Sequence, residues 1–155
     1  MTQEEKELLV EDLCGRLPYG VKILYEGWDS DHGCEFNTVE DLIGIDDKFI
    51  YTLWRGERDK HSIVEPLSII DYKPYLRPLS SITDEEERQI NESLEEVYNF
   101  TFKTEELLEN IKEQKTFPSS TIDLMNKFHL DYRGLIPMGL ALEAKEGMYI
   151  KTYKN

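Results

Sequence analysis

The densest group of side chains able to bind a metal or share a proton is Asp29-Ser30-Asp31-His32-Gly33-Cys34, with Glu40 eleven residues after Asp29. Its Asp-x-Asp-x-Gly start echoes a calcium loop. That loop needs its sharp-turn glycine at the sixth position, whereas here Gly33 is fifth and Cys34 sixth. A zinc site needs three or four converging ligands. His32 and Cys34 share a side of a strand, but the chain holds no second Cys/His pair to complete the set. Asp and Gly also favour turns for conformational reasons alone. The expectation is therefore a plain hairpin turn, with Asp29, Asp31, His32, Cys34 and Glu40 as weak metal candidates and no cofactor.

Other catalytic patterns are missing. His32, His61 and His129 are isolated, and a catalytic imidazole needs a nucleophile and an orienting partner within reach. The chain has no Gly-x-Ser-x-Gly, no phosphate loop and no His-Glu-x-x-His. Glu85-Glu86-Glu87 and Glu95-Glu96 belong to a helix start and a solvent face, not to an apolar site that would raise a carboxyl pKa. No catalytic residue is assigned. The polar residues best placed for recognition are Asp131, Tyr132 and Arg133 before Gly134, together with Tyr75 and Arg77 between Pro74 and Pro78. Tyr and Arg are favoured at hot spots. The competing reading is a lock, in which Tyr132 packs inward and Arg133 pairs with an acid.

The elements that must position these residues are legible from spacing. Thr2 and Glu5 form a capping box for a helix over about 2–16, with Leu9, Leu13 and Leu17 on one face and Pro18 as its stop. Cys14 falls within this amphipathic pattern, where a reduced, buried thiol is expected. A β-rich region follows over about 20–72. Val21–Tyr25 alternates, Cys34–Val39 reads as a second strand, and Leu42–Ile45 with Phe49–Trp54 reads as a hairpin around Asp46-Asp47. Ile63-Val64 begins another strand, which Leu67–Ile70 could continue. Thr83 and Glu86 form a second capping box for a helix over about 83–99, striped by Ile90, Leu94, Val97 and Tyr98. Thr104 caps a third helix carrying Leu107, Leu108 and Ile111. Ser119 or Ser120 caps a fourth carrying Ile122, Met125 and Phe128. Met148-Tyr149-Ile150 could add a last strand. The fold class is α+β: an N-terminal helix, a small antiparallel sheet or SH3-like barrel, and a mostly helical C-terminal half over about 83–142, all in one domain over 1–155.

The 155 residues are 39% hydrophobic and 32% charged, with a formal net charge of -14. Half of that excess lies between Thr83 and Lys115, where eleven acids face four bases. Such a surface repels duplex phosphates and anionic membranes, so nucleic acid and membrane are excluded as general partners. The acidic opening Met1-Thr2-Gln3-Glu4-Glu5-Lys6 is the reverse of a signal peptide, and no apolar run is long enough to span a bilayer. A cytoplasmic location is expected.

Three phrases carry a resemblance. They are Tyr72-Lys73-Pro74-Tyr75-Leu76-Arg77-Pro78-Leu79-Ser80-Ser81, then His129-Leu130-Asp131-Tyr132-Arg133-Gly134-Leu135-Ile136 continuing through Gly139–Ala144 and Glu146–Tyr149, and Leu13-Cys14-Gly15-Arg16-Leu17-Pro18-Tyr19-Gly20-Val21. Together they resemble a family of small uncharacterised proteins of gut bacteria, their prophages and other mobile elements. The stretch 99–118 departs from that family's pattern. The resemblance implies no activity. The leading expectation is a non-catalytic, acidic interaction protein with a protein partner. The alternatives are an acidic decoy that mimics nucleic acid, and a small enzyme whose site is assembled from distant residues.

Overall fold

A computed structural model of the chain describes residues 1–29, 33–55, 60–66, 72–99, 104–113 and 116–149. The protein divides into two compact units, Met1–Tyr75 and Leu76–Asn155. Helices and a sheet make it α+β, and among the described residues no helix is long and apolar enough to cross a membrane.

In the first unit, helix α1 spans Gln3–Arg16. The Thr2 hydroxyl accepts from the Glu5 N–H, and the Glu5 carboxylate accepts from the Thr2 N–H, which closes the expected capping box. A 3₁₀ turn over Leu17–Tyr19, with Pro18 near its start, ends the helix. The buried stripe of α1 is Leu9, Asp12, Leu13 and Arg16. Half of this stripe is charged: Arg16 Nε donates to Asp12 at 2.7 Å, one turn away, with both side chains fully buried. Cys14 is exposed, not buried as its pattern suggested, because it falls just outside the positions 9, 12, 13 and 16 that face inward.

Strands β1 (Lys22–Asp29) and β2 (Cys34–Ile45) form an antiparallel hairpin in which Ile23 faces Glu40 and Asp29 faces Cys34. The two strands expected at 34–39 and 42–45 are one continuous strand, with a bulge at Ile43 between Leu42 and Gly44. Strand β3 (Phe49–Arg55) returns along β2, and β4 (Lys60–Pro66) returns along β3. Strand β5 (Lys73–Leu76) then pairs with β1 on the far side of the hairpin, so the order runs β4-β3-β2-β1-β5. The sheet stays open, and the SH3-like barrel is not formed. Its buried face carries Ile23, Glu40, Leu42, Ile50 and Thr52. At Gly44 a side chain would press the Tyr51 ring, which lies 3.3 Å from where its Cβ would stand.

In the second unit, helix α2 spans Asp84–Tyr98 behind the Thr83/Glu86 capping box, and Asn99 ends it in the left-handed region. Helices α3 (Thr104–Lys112) and α4 (Ser119–Lys127) follow. The core gathers Ile90 and Leu94 from α2, Leu107 and Ile111 from α3, and Met125 and Leu130. Ser93 and Thr121 hydroxyls meet at 2.8 Å between α2 and α4, where two small side chains let the backbones approach. Three expectations are corrected here. Val97 is 53% exposed and Tyr98 is exposed too, so the apolar stripe of α2 ends at Leu94. Pro118, not a serine, occupies the N-cap of α4, and both serines lie inside its first turn, where fixed proline φ is compatible with a helix start. The tail at 146–149 turns instead of extending, and the short strand β6 is Leu142–Glu143. Beyond it, Ala144 N–H donates to Leu76 carbonyl at 2.7 Å.

Candidate functional site

The second unit contains a cleft of about 400 Å³, lined by Pro78, Leu79 and Ser80 on one side and by Asp131, Tyr132, Arg133, Gly134, Ile136 and Pro137 on the other. Two of the sequence phrases singled out for recognition therefore converge on one hollow. Arg77 brings them together. Its backbone N–H donates to the His129 carbonyl at 2.7 Å, and its carbonyl accepts from Asp131 N–H at 2.8 Å, a parallel bridge across Leu130. His129 reaches this bridge at φ 56, a left-handed conformation that the two flanking bonds hold in place.

The Arg77 side chain fixes the same junction a second time. It grips Glu86 through two bonds of 2.6 and 3.0 Å. It also donates to the Ser81 carbonyl at 2.6 Å and to the Phe128 carbonyl at 3.3 Å. One guanidinium thus holds the 3₁₀ turn Leu79–Ser81, the start of α2 and the end of α4. Burial alone would push the Glu86 carboxyl up, but its bonds from Arg77 and Thr83 outweigh that and hold it below the usual glutamate range.

The opposite wall is shaped by Asp131. Its buried carboxylate accepts from Leu135 N–H at 2.7 Å and from Ile136 N–H at 2.9 Å, which folds the chain back on itself. Gly134 sits inside that loop at φ 72, a conformation that favours glycine. Tyr132 packs against the core, and its hydroxyl donates to Asn126 Oδ1 at 3.1 Å. Arg133 lies over the Tyr132 ring, 5.2 Å from its centroid, and its Nε donates to the same hydroxyl at 3.1 Å.

The five interaction candidates thus divide. Arg77 and Asp131 build the walls, Tyr132 and Arg133 form part of the lining, and Tyr75 is buried in the first unit at 7% exposure. Pro78, Leu79, Ile136 and Pro137 were not among the interaction candidates read from sequence. Their signal was weak: proline beside an aliphatic residue in two turn-rich segments, with nothing local to show that the segments face each other.

Of the metal candidates, Cys34 and Glu40 do not come together. Asp31 and His32 lie outside the described residues. Cys34 stands opposite Asp29 at the connected end of the β1–β2 hairpin. Glu40 is six residues further along β2, roughly 20 Å away. Its side chain is buried on the sheet's inner face, where the Thr38 hydroxyl donates at 2.9 Å and the Thr52 hydroxyl donates as well. Among the described residues, no group of three or more His, Cys, Asp or Glu side chains is arranged to hold a metal ion.

No protein-family model, curated protein or solved structure matches this chain.

Proposed function

We propose that this is a non-catalytic interaction protein that receives a short segment of a protein partner in the cleft of its second unit. One observation carries the reading. Two charged groups that look chemical are engaged in building the cleft: Arg77, behind its wall, in its bonds to Glu86, Ser81 and Phe128, and Asp131 in its bonds to Leu135 and Ile136. The surface they support joins two aliphatic residues, Leu79 and Ile136, to two prolines, with Tyr132 and Arg133 as an aromatic and cationic anchor. Rigid aromatic and arginine anchors beside apolar walls are what partner segments dock onto. The resemblance of the sequence phrases would place such a protein in the accessory gene pool of a prophage or mobile element, with a cytoplasmic partner.

The decoy reading draws on the exposed acids of α2. There Arg88 pairs with both Glu85 and Glu92, and bonds donated by Arg88 and by Gln89 hold the Glu85 carboxyl down to about 2. A base set between two acids interrupts the run of negative charge that a phosphate mimic needs.

The test is capture of partners from the native host with wild-type protein and with Ile136→Asp, which puts a charge on the cleft wall. A partner held by the wild type and lost by this variant, at an unchanged melting temperature, supports the cleft. Identical capture by both proteins refutes it.

A further inference from the structure

The first unit presents a second surface that the cleft reading leaves unused. Successive strand residues alternate between faces. With Ile23, Glu40, Leu42, Ile50 and Thr52 buried on one face, the register assigns the other. Leu24 faces Val39, Asp41 faces Leu53, and Tyr51 faces both Gly44 and Val64. Phe49 shares this side and meets the Tyr51 ring edge-on at 6.5 Å. Val39 is 43% exposed, Ile43 49%, Phe49 37% and Val64 52%. Together they expose on the order of a few hundred Å² of apolar surface, about the size of the largest patch on a typical monomer, which is often a functional one.

The ends of this face are acidic. Glu26 and Glu35 are exposed toward the end where the β1–β2 hairpin connects, and Asp46 and Asp47, beside Lys48, are exposed at the β2–β3 turn. The Tyr51 hydroxyl donates to Asp46 at 2.7 Å and, with the Lys48 and Phe49 N–H groups, keeps that carboxyl ionised. Lys22 is tied to Asp41 at 2.8 Å. The whole unit carries seventeen acids against eight bases. A second copy laid on this face would set acidic ends against acidic ends, and like charges across an interface disfavour it. Charge complementarity selects a cationic partner instead. From Asn37, opposite Glu26, to the turn at Asp46 the strand runs about 30 Å, which a helix of about twenty residues spans.

We propose that the outer face of this sheet docks an amphipathic helix of a partner protein, with an apolar stripe over Val39, Ile43, Tyr51 and Val64 and lysine or arginine near both ends. The site is distinct from the cleft and stands whether or not the cleft reading does.

The probe is a synthetic twenty-residue helix with a leucine stripe and lysines at both ends, titrated against the full chain. A second peptide carries glutamates in place of the lysines. Val39→Thr/Val64→Thr keeps strand propensity and net charge while removing apolar surface. The lysine peptide should bind wild type, bind this variant at least tenfold more weakly, and bind Ile136→Asp as it binds wild type. Glu26→Gln/Glu35→Gln should weaken binding and flatten its salt dependence. Equal binding of the lysine peptide to the threonine variant means charge alone attracts it and overturns the proposal. So does equal binding of the two peptides, or a wild-type dimer in gel filtration that the threonine variant abolishes. If the double variant melts early, Ile43→Thr alone carries the same comparison.

Discussion

Replacing Arg77 with methionine should loosen the second unit more than any surface charge change, and the cost can be worked from its bonds. Arg77 loses a two-pronged grip on Glu86 and two bonds to backbone carbonyls. A hydrogen bond to a charged group contributes about 1.5–3 kcal/mol. The sum is not reached, because the Arg77 and Glu86 side chains are 22% and 15% exposed and water can reach part of the gap. A loss of about 2–4 kcal/mol is expected, between the exposed and fully buried cases. Lysine should recover little of it, since a single ammonium cannot reproduce the fork. Urea unfolding followed by far-ultraviolet circular dichroism, weighted toward α2, α3 and α4, reads the change as a lower midpoint with unchanged slope.

The pH dependence gives this account a second handle. Glu86 has a folded pKa below its unfolded value. Its contribution is therefore fully present above the ordinary glutamate value of about 4.3 and is lost as the pH falls through the lower folded value. The stability gap between wild type and Glu86→Gln should be widest near neutrality and close on acidification. A gap that stays constant with pH, or an Arg77→Met variant within about 0.5 kcal/mol of wild type, would refute the reasoning.

Three further outcomes are expected. Leu94→Ala should cost about 2–5 kcal/mol while Val97→Ala stays within about 0.5 kcal/mol, because one side chain is buried and the other exposed; equal denaturation midpoints for the two would break this. Asp12→Ala leaves the buried Arg16 without its carboxylate and should cost about 3–5 kcal/mol, whereas Asp12→Leu/Arg16→Met should melt closer to wild type. Random duplex DNA should not be retarded by the protein at physiological salt, and a salt-sensitive submicromolar shift would contradict that.

What could be read from the sequence was what neighbouring residues decide among themselves. The capping boxes at Thr2/Glu5 and Thr83/Glu86 close within four residues, and the β2–β3 turn follows from Asp46, whose carboxylate accepts from Lys48 and Phe49 N–H. The misreadings arise where distant residues decide. Val97 continues a correct helical period, yet burial depends on where α3 and α4 lie, and their core stops at Leu94. Asp12 and Arg16 look like solvent residues until their i,i+4 bond lets both face inward. The barrel expectation fails because, among the described residues, no pairing joins the β4 edge of the sheet to its other edge, and no local pattern encodes closure.

The same division explains why the candidate site was only half visible. Asp131, Tyr132, Arg133 and Arg77 stand out by type, since charged and aromatic residues beside glycine and proline suggest recognition. Most of their polar groups turn out to be used internally. Arg77 replaces with one side chain the contacts that would otherwise be needed to hold residues 77, 86 and 128 together, and Asp131 satisfies two backbone donors that its own loop would leave unpaired. Glu40 does the same in the sheet, where two threonine hydroxyls meet its carboxylate. Residues that look chemical are thus spent on closing polar gaps. The surfaces proposed for a partner are built instead on aliphatic residues, Leu79, Ile136, Val39 and Val64, a type that a sequence reading assigns to a core.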